Sequence, residues 1–267
     1  MFRITVLMEN NLSRNKALRH GHGLSLLIDT GSDRILFDTG PDDSFLFNAR
    51  KLGLSLDNLS AVVLSHGHYD HASGFRDFVE AKHCAPSLFV GKGFFSRKFA
   101  AKGRVYSDLS AGWGRRFAEN HGFTVFELSA DAQVVPGIYA IHGFPRLHRE
   151  ETIASEYVKE SIAGFVHDDF SDEIALAIET KDGIVLVTGC AHPGIMNIAD
   201  TASARYGAIK AVVGGIHLGN ADDARAGQAV DYLYSLGVRE LFLCHCSGEK
   251  CAERGSRIAA GDTLFFF

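Results

Sequence analysis

No run of apolar residues in this 267-residue chain approaches the ~20 needed to cross a bilayer as a helix. The opening stretch, Met1 to Met8, lacks the basic, apolar, small-residue order of a signal peptide. Five cysteines at uneven positions do not make a disulfide framework in a chain of this length. These absences together predict a cytoplasmic protein. There is no basic block, and the formal net charge is −5, which argues against nucleic acid or an anionic membrane surface as partner. Nor is there a GxSxG elbow, a Walker loop or a GxGxxG turn, so metal-assisted chemistry has no rival motif within the chain. The expected partner is a small-molecule substrate; nothing in the sequence determines an oligomeric state.

What is present suits a well-packed α/β domain. The chain is 46% hydrophobic and 22% charged, enough apolar residue for a sizeable core, and it reads as a single domain over 1–267. Phe2 to Met8, Leu24 to Thr30 and Arg34 to Asp38 read as strands, the last two joined by a turn at Gly31-Ser-Asp33. Helical spacing marks Ser44 to Leu52 and Phe75 to Ala81, and Ser87 to Gly91 is another strand. In the second half, a hairpin (Ile174 to Glu179, Ile184 to Thr188) is followed by a helix from Pro193 to Tyr206. A strand at Ala211 to Gly215, a helix at Asp222 to Leu236 and a strand at Glu240 to Cys244 come next. Hairpins followed by crossover helices in each half predict two packed sheets with helices outside, a four-layer αββα sandwich. Between about residues 92 and 135 the pattern breaks down into an insertion rich in Phe, Gly, Arg and Lys. There Phe94, Phe95, Phe99 and Trp113 either wall an aromatic substrate or form a local core, and Arg97, Lys98, Arg104, Arg115 and Arg116 either meet a phosphate or stay solvated. Polar Glu150 to Glu160 reads as a mobile flap.

The stretch that organises the rest is Ala61-Val-Val-Leu-Ser-His-Gly-His-Tyr-Asp-His71. A short β-branched run ends abruptly in His66, His68, Asp70 and His71, four metal-ligand side chains within six residues. Extended geometry points the His66 and His68 rings to one side, and Asp70 and His71 across the turn face a second ion nearby. Imidazoles with a carboxylate suit zinc, with iron or manganese as alternatives. The bland reading is a polar loop that happens to be His-rich.

His66-Gly-His-Tyr-Asp-His71 resembles the HxHxDH signature of the metallo-β-lactamase-fold hydrolases, and Ile35-Leu-Phe-Asp-Thr-Gly40 resembles that superfamily's second strand and turn. His22-Gly-Leu-Ser25, Thr188-Gly-Cys-Ala-His-Pro-Gly194, Gly214-Gly-Ile-His-Leu218 and His245-Cys-Ser-Gly248 extend the resemblance to a narrower branch. That branch is the 7,8-dihydropterin-6-methyl-4-(β-D-ribofuranosyl)aminobenzene-5′-phosphate synthases. The resemblance implies the metallo-β-lactamase fold and two divalent ions. It places one ion on His66, His68 and His192 and the other on Asp70, His71 and His245. From the residues themselves, Asp70 and His217 are candidates for the chemistry, and Arg104, Trp113 and His217 for substrate binding. Cys190 stands where the superfamily commonly has a bridging Asp, and either binds metal or is a small buried residue. His142, His148, His167, Asp168 and Asp169 are rivals to His192. Asp38 either braces the metal loop or caps a turn. Gly21 precedes His22 where the branch usually has an acidic residue. Cys244-His-Cys246 does not read as a separate zinc knuckle, because neighbours on a strand point to opposite faces. The implied activity is condensation of a dihydropterin diphosphate with an aminobenzene ribofuranosyl phosphate, releasing pyrophosphate. The alternatives are a hydrolase of a phosphodiester, lactone or thioester, and a non-catalytic metal- or ligand-binding protein on the same fold.

Overall fold

The computed structural model describes residues 1–267. Its first sheet is built from β1 (Phe2–Met8), β2 (Ser25–Asp29), β3 (Arg34–Phe37), β4 (Ala61–Val63), β5 (Ser87–Gly91), β8 (Thr124–Leu128) and β18 (Thr263–Phe266), in the order β18-β1-β2-β3-β4-β5-β8. The second uses β9 (Ala132–Val135), β10 (Ile138–His142), β13 (Ile174–Thr180), β14 (Gly183–Thr188), β15 (Ile209–Gly214), β16 (Glu240–Leu243) and β17 (Ser256–Arg257), in the order β17-β16-β15-β14-β13-β10-β9. Each sheet is antiparallel on one side and parallel on the other, the change falling at β3 and β14. Parallel neighbours need crossovers, and helices supply most of them. Here α1 (Ser44–Lys51), α3 (Phe75–Glu80) and α4 (Arg115–Asn120) cover the first sheet, while α5 (Ile195–Tyr206) and α6 (Asp223–Ser235) cover the second.

The alternation of side chains explains the layers. Ala61 and Val63 of β4 join the core between the sheets, whereas Val62 and Leu64 join the core beneath the helices with Phe45, Phe75 and Phe78. A strand buried on both faces must be apolar throughout, which is why this run shows no polar alternation. Leu186, Val212, Ile198 and Leu233 make the corresponding core on the far side. The four-layer sandwich expected from the sequence is the observed architecture. No helix is long and apolar enough to cross a membrane.

A third, four-stranded sheet was not expected. It consists of β6 (Lys98–Lys102), β7 (Val105–Asp108), β11 (Tyr157–Ser161) and β12 (Gly164–His167), in the order β12-β11-β6-β7. Half of it comes from the anticipated insertion and half from the region after residue 156. The rest of 92–135 rejoins the sandwich through α4, β8 and β9. The expectation of a mobile flap at 150–160 is corrected by two observations. Tyr157 to Ser161 is a paired strand, with Val158 opposite Phe99. Glu151 is buried, and its carboxylate accepts from Met196 N (3.0 Å) and Asn197 N (2.8 Å) at the start of α5 and from the Arg225 guanidinium (2.8 Å). Glu151→Ala strands those donors and is expected to cost about 1–3 kcal/mol, read as a lowered denaturant midpoint; an unchanged midpoint refutes the anchoring role.

Candidate metal centre

The parallel strands of both sheets deliver their carboxyl ends to one cleft, where open α/β sheets bind ligands. His66 leaves β4, and His68 precedes α2 (Tyr69–Ala72), a single turn that carries Asp70 and His71. Cys190 and His192 follow β14, His217 follows β15, and His245 opens a 3-10 turn (His245–Ser247) after β16. Asp38, Ala191, His217 and His245 all adopt left-handed backbone, φ 52–61°. Such strain in non-glycine residues persists where the surroundings over-determine it, and it clusters at functional sites.

Two donor groups result. His66, His68 and His192 bring ring nitrogens within 4.8 Å of one another. Phe170 stacks on the His192 ring at 3.8 Å between centroids, and the buried Glu173 carboxylate accepts from Ala191 N and His192 N (2.5 and 2.9 Å), which holds the loop in place. In the second group His71 Nε2 lies 3.0 Å from His245 Nε2 and 3.2 Å from Cys190 Sγ, and Cys190 Sγ lies 3.3 Å from His245 Nε2. Asp70 Oδ2 completes it, 3.7 Å from His71 Nε2 and 3.5 Å from His245 Nε2. A four-coordinate zinc with ordinary N, O and S bonds has donor–donor edges of roughly 3.3–3.8 Å, close to this set.

The partners on the far side of each ring decide what these nitrogens offer. The Ser65 hydroxyl donates to Asp38 Oδ2 (2.8 Å) and so accepts from His66 Nδ1 (3.0 Å). The same carboxylate accepts from His71 Nδ1 at 2.7 Å. Asn10 Oδ1 accepts from Gly23 N (3.1 Å), which orients its amide, and from His245 Nδ1 (2.8 Å). All three rings therefore carry a proton on Nδ1 and turn Nε2 towards the cluster. Two bare lone pairs 3.0 Å apart repel unless a cation or proton lies between them. His66 Nε2 and His192 Nε2 are moreover buried without any hydrogen-bond partner. The donor set fits divalent metal. Close packing guards this arrangement: a Cβ on Gly189 would meet Ser65 Oγ at 2.1 Å, displacing the hydroxyl that orients His66.

Burial keeps most of these imidazoles neutral. It holds His66 and His192 well below the usual range, His68 at about 3 and His245 at about 4. His71 differs: burial pulls it down, but the Asp70 and Asp38 carboxylates outweigh that and raise it to about 9. Metal entering the second group must expel the His71 proton, and burial raises the Cys190 thiol so that its proton must leave as well. Affinity is thus expected to rise at least about tenfold per pH unit between pH 7 and 9, measured by competition with a chromophoric chelator. A pH-independent affinity over that interval contradicts it.

Of the residues expected at the site, His66, His68, Asp70, His71, Cys190, His192 and His245 come together. His217 joins them in the wall, its ring 4.1 Å from His192. Asp38 takes the bracing role. Two do not line the cavity. Trp113 stacks on Phe75 at 4.5 Å and donates to Ala72 O, a packing role, and Arg104 is exposed in the β6–β7 turn. Three other basic residues of the insertion are engaged elsewhere: Arg97 with Asp108, Arg115 with Glu119, and Lys98 buried with Asp168 and Asp172. The rivals to His192 are also occupied or remote. His142 bonds Ser171 O, His148 bonds Asp200, Asp169 pairs with Lys159, and His167 is exposed on β12. Sequence reasoning missed Asn10, Ser65, Glu173 and Tyr157; isolated polar residues in loops carry no periodic signal. A cavity of about 880 Å³ opens over the cluster, with Tyr69, Tyr157, Lys102 and Arg225 in its walls.

Comparison with known proteins agrees with this geometry. Residues 18–236 match the metallo-beta-lactamase superfamily. The chain is 31% identical to the 7,8-dihydropterin-6-methyl-4-(beta-D-ribofuranosyl)-aminobenzene-5'-phosphate synthase of Methanocaldococcus jannaschii, over 99% of this chain and 96% of that protein. It is 27% identical to an uncharacterised protein of the same organism, covering 96% and 94% of the two chains. A crystal structure of a metal-dependent hydrolase of the beta-lactamase superfamily superposes with a TM-score of 0.83 at 29% identity, covering 99% of both chains. A diphosphatase of the PhnP family, at 11% identity and a TM-score of 0.54, shares the fold alone. With its bare imidazoles, its four layers and these relatives in agreement, the chain belongs to the metallo-β-lactamase superfamily.

Proposed function

We propose that this protein is a two-metal enzyme, zinc being the favoured ion, that joins a dihydropterin carrying a diphosphate to an aminobenzene ribofuranosyl phosphate and releases pyrophosphate. The observation that carries the reading is 31% identity to a synthase of that name across 99% of the chain. His66, His68 and His192 would hold one ion, and Asp70, His71, His245 and Cys190 the other. Divalent ions held there would supply positive charge that offsets that of a diphosphate. The chain's own residues do the rest. Asp38 and Asn10 lock the ring orientations, and the walls exclude water from the cleft. Tyr69 and Tyr157 offer aromatic faces to a flat heterocycle, and Lys102 at the rim meets a phosphate. His217, which lines the cavity beside His192, would bond a phosphate oxygen.

The test is pyrophosphate release by the purified, metal-loaded protein given those two substrates. Release that disappears on chelation supports the reading, and none at all overturns it. The structural likeness to a metal-dependent hydrolase favours a second reading, hydrolysis of a phosphodiester at the same centre. Turnover of a generic phosphodiester without condensation would select it.

A further inference from the structure

Cysteine use in this chain is uneven in a telling way. Cys244 lies in the core between the sheets, Cys251 in the core under α6, and Cys84 is exposed. Cys190 and Cys246 belong to no apolar cluster. Both line the cavity, and Cys190 Sγ, Cys246 Sγ and a His245 ring nitrogen lie within 4.8 Å of one another. The alternation expected for a strand, which would send Cys246 away from His245, does not apply. The chain has already left β16 for the 3-10 turn, and the left-handed His245 (φ 53°) swings both side chains to the same side.

The surroundings leave space for a sulfur and little else. Cys246 abuts His217 as well as His245 and Cys190. Gly215 faces it, and a Cβ there would meet Cys246 Sγ at 2.7 Å and Gly189 O at 2.3 Å. Cys190 Sγ is grouped with nitrogens of both sets: with His66 and His71, with His245, and with His192 and His217. Two thiolates on one ion at ordinary zinc–sulfur bond lengths sit roughly 3.7 Å apart, inside the 4.8 Å within which the two sulfurs lie.

We infer that the centre is sulfur-ligated, with Cys190 and Cys246 both coordinating metal. This rests on the metal-centre reading above and adds a donor to it. Paired thiolates favour zinc or ferrous iron over manganese or magnesium, so the chain's metal choice is written into these two residues. Each cysteine gives up its proton to solvent as the ion enters; no electrons are transferred.

Cobalt(II) in place of zinc reads this out without turnover, because thiolate ligation produces a charge-transfer band in the near ultraviolet. The cobalt-loaded protein is expected to show the band. Cys246→Ala should reduce it by about half at unchanged cobalt stoichiometry, one of two thiolates being lost, and Cys84→Ala should leave it intact. Should Cys246→Ala fail to fold, alkylation mapped by mass spectrometry on the unaltered chain serves instead. Cys246 is expected to react in metal-stripped protein and to be protected with metal bound, while Cys84 reacts in both. A cobalt-loaded protein without the band, a band indifferent to Cys246→Ala, or alkylation of Cys246 with metal bound overturns the inference and leaves the reaction assignment standing. A protein that binds no cobalt overturns the metal centre itself.

Discussion

His66→Ala is expected to lower the rate of pyrophosphate release by more than about 100-fold, beyond the 10–100-fold typical of losing a residue that merely supports a ligand. The residue is fully buried at the end of β4, with Nδ1 tied to Ser65 and a bare Nε2 that nothing in the protein satisfies. Removing the ring deletes a donor from the three-nitrogen group and leaves His68 and His192 to hold an ion alone. Metal analysis should show the loss of one ion per chain, while circular dichroism keeps the sheet signal. Asp38→Asn makes the graded comparison. It preserves shape but weakens the hold on His71 Nδ1, and it should cost about 10–100-fold. A His66→Ala enzyme with full metal content and near-normal rate would sink the assignment.

Lys98→Met is the corresponding experiment on stability. Its ammonium is 1% exposed and bonds Asp168 Oδ2 at 2.7 Å and Asp172 Oδ1 at 2.8 Å, both carboxylates being equally buried. Replacing the cation leaves two acids without their shared partner in a site closed to water. Breaking a buried pair in this way typically costs about 3–5 kcal/mol, most of it the penalty of the stranded charge. The effect should reach the centre, because Asp172 Oδ2 also accepts from Gly67 N between His66 and His68. The expected readout is a large fall in denaturant midpoint at pH 7. Removing the acids together with the lysine, as Lys98→Met with Asp168→Leu and Asp172→Leu, should recover part of the loss. A midpoint unmoved by Lys98→Met alone would show that Asp168 and Asp172 are satisfied by other groups.

The motif loop was legible because its information is local. Six consecutive residues carry four donors, and the apolar run before them is buried on both faces and therefore uninterrupted. The second-half donors were legible as well, since each follows a clear strand. The third sheet was not, because Phe99 meets Val158 across a long separation and its strands mix charged and apolar residues without a clean period. Aromatic and basic composition in the insertion pointed to substrate, but composition carries no direction. Trp113 turns inward onto Phe75, and Lys98 is consumed by Asp168 and Asp172. Cys246 was set aside by a rule of strand alternation that holds only while the chain remains a strand.

The seating of β18 on β1, with Phe2 opposite Phe266 and Thr5 opposite Thr263, has a consequence for how the molecule comes to exist. That pairing closes a loop running from Phe2 to Phe266, and loop entropy must be met before the contacts return anything. During synthesis β1 waits with one edge unpaired until β18 is made, and such an edge is a template for any neighbouring strand. The hazard of misassembly therefore lasts until β18 is in place, and a chaperone that shields β1 would be needed until then.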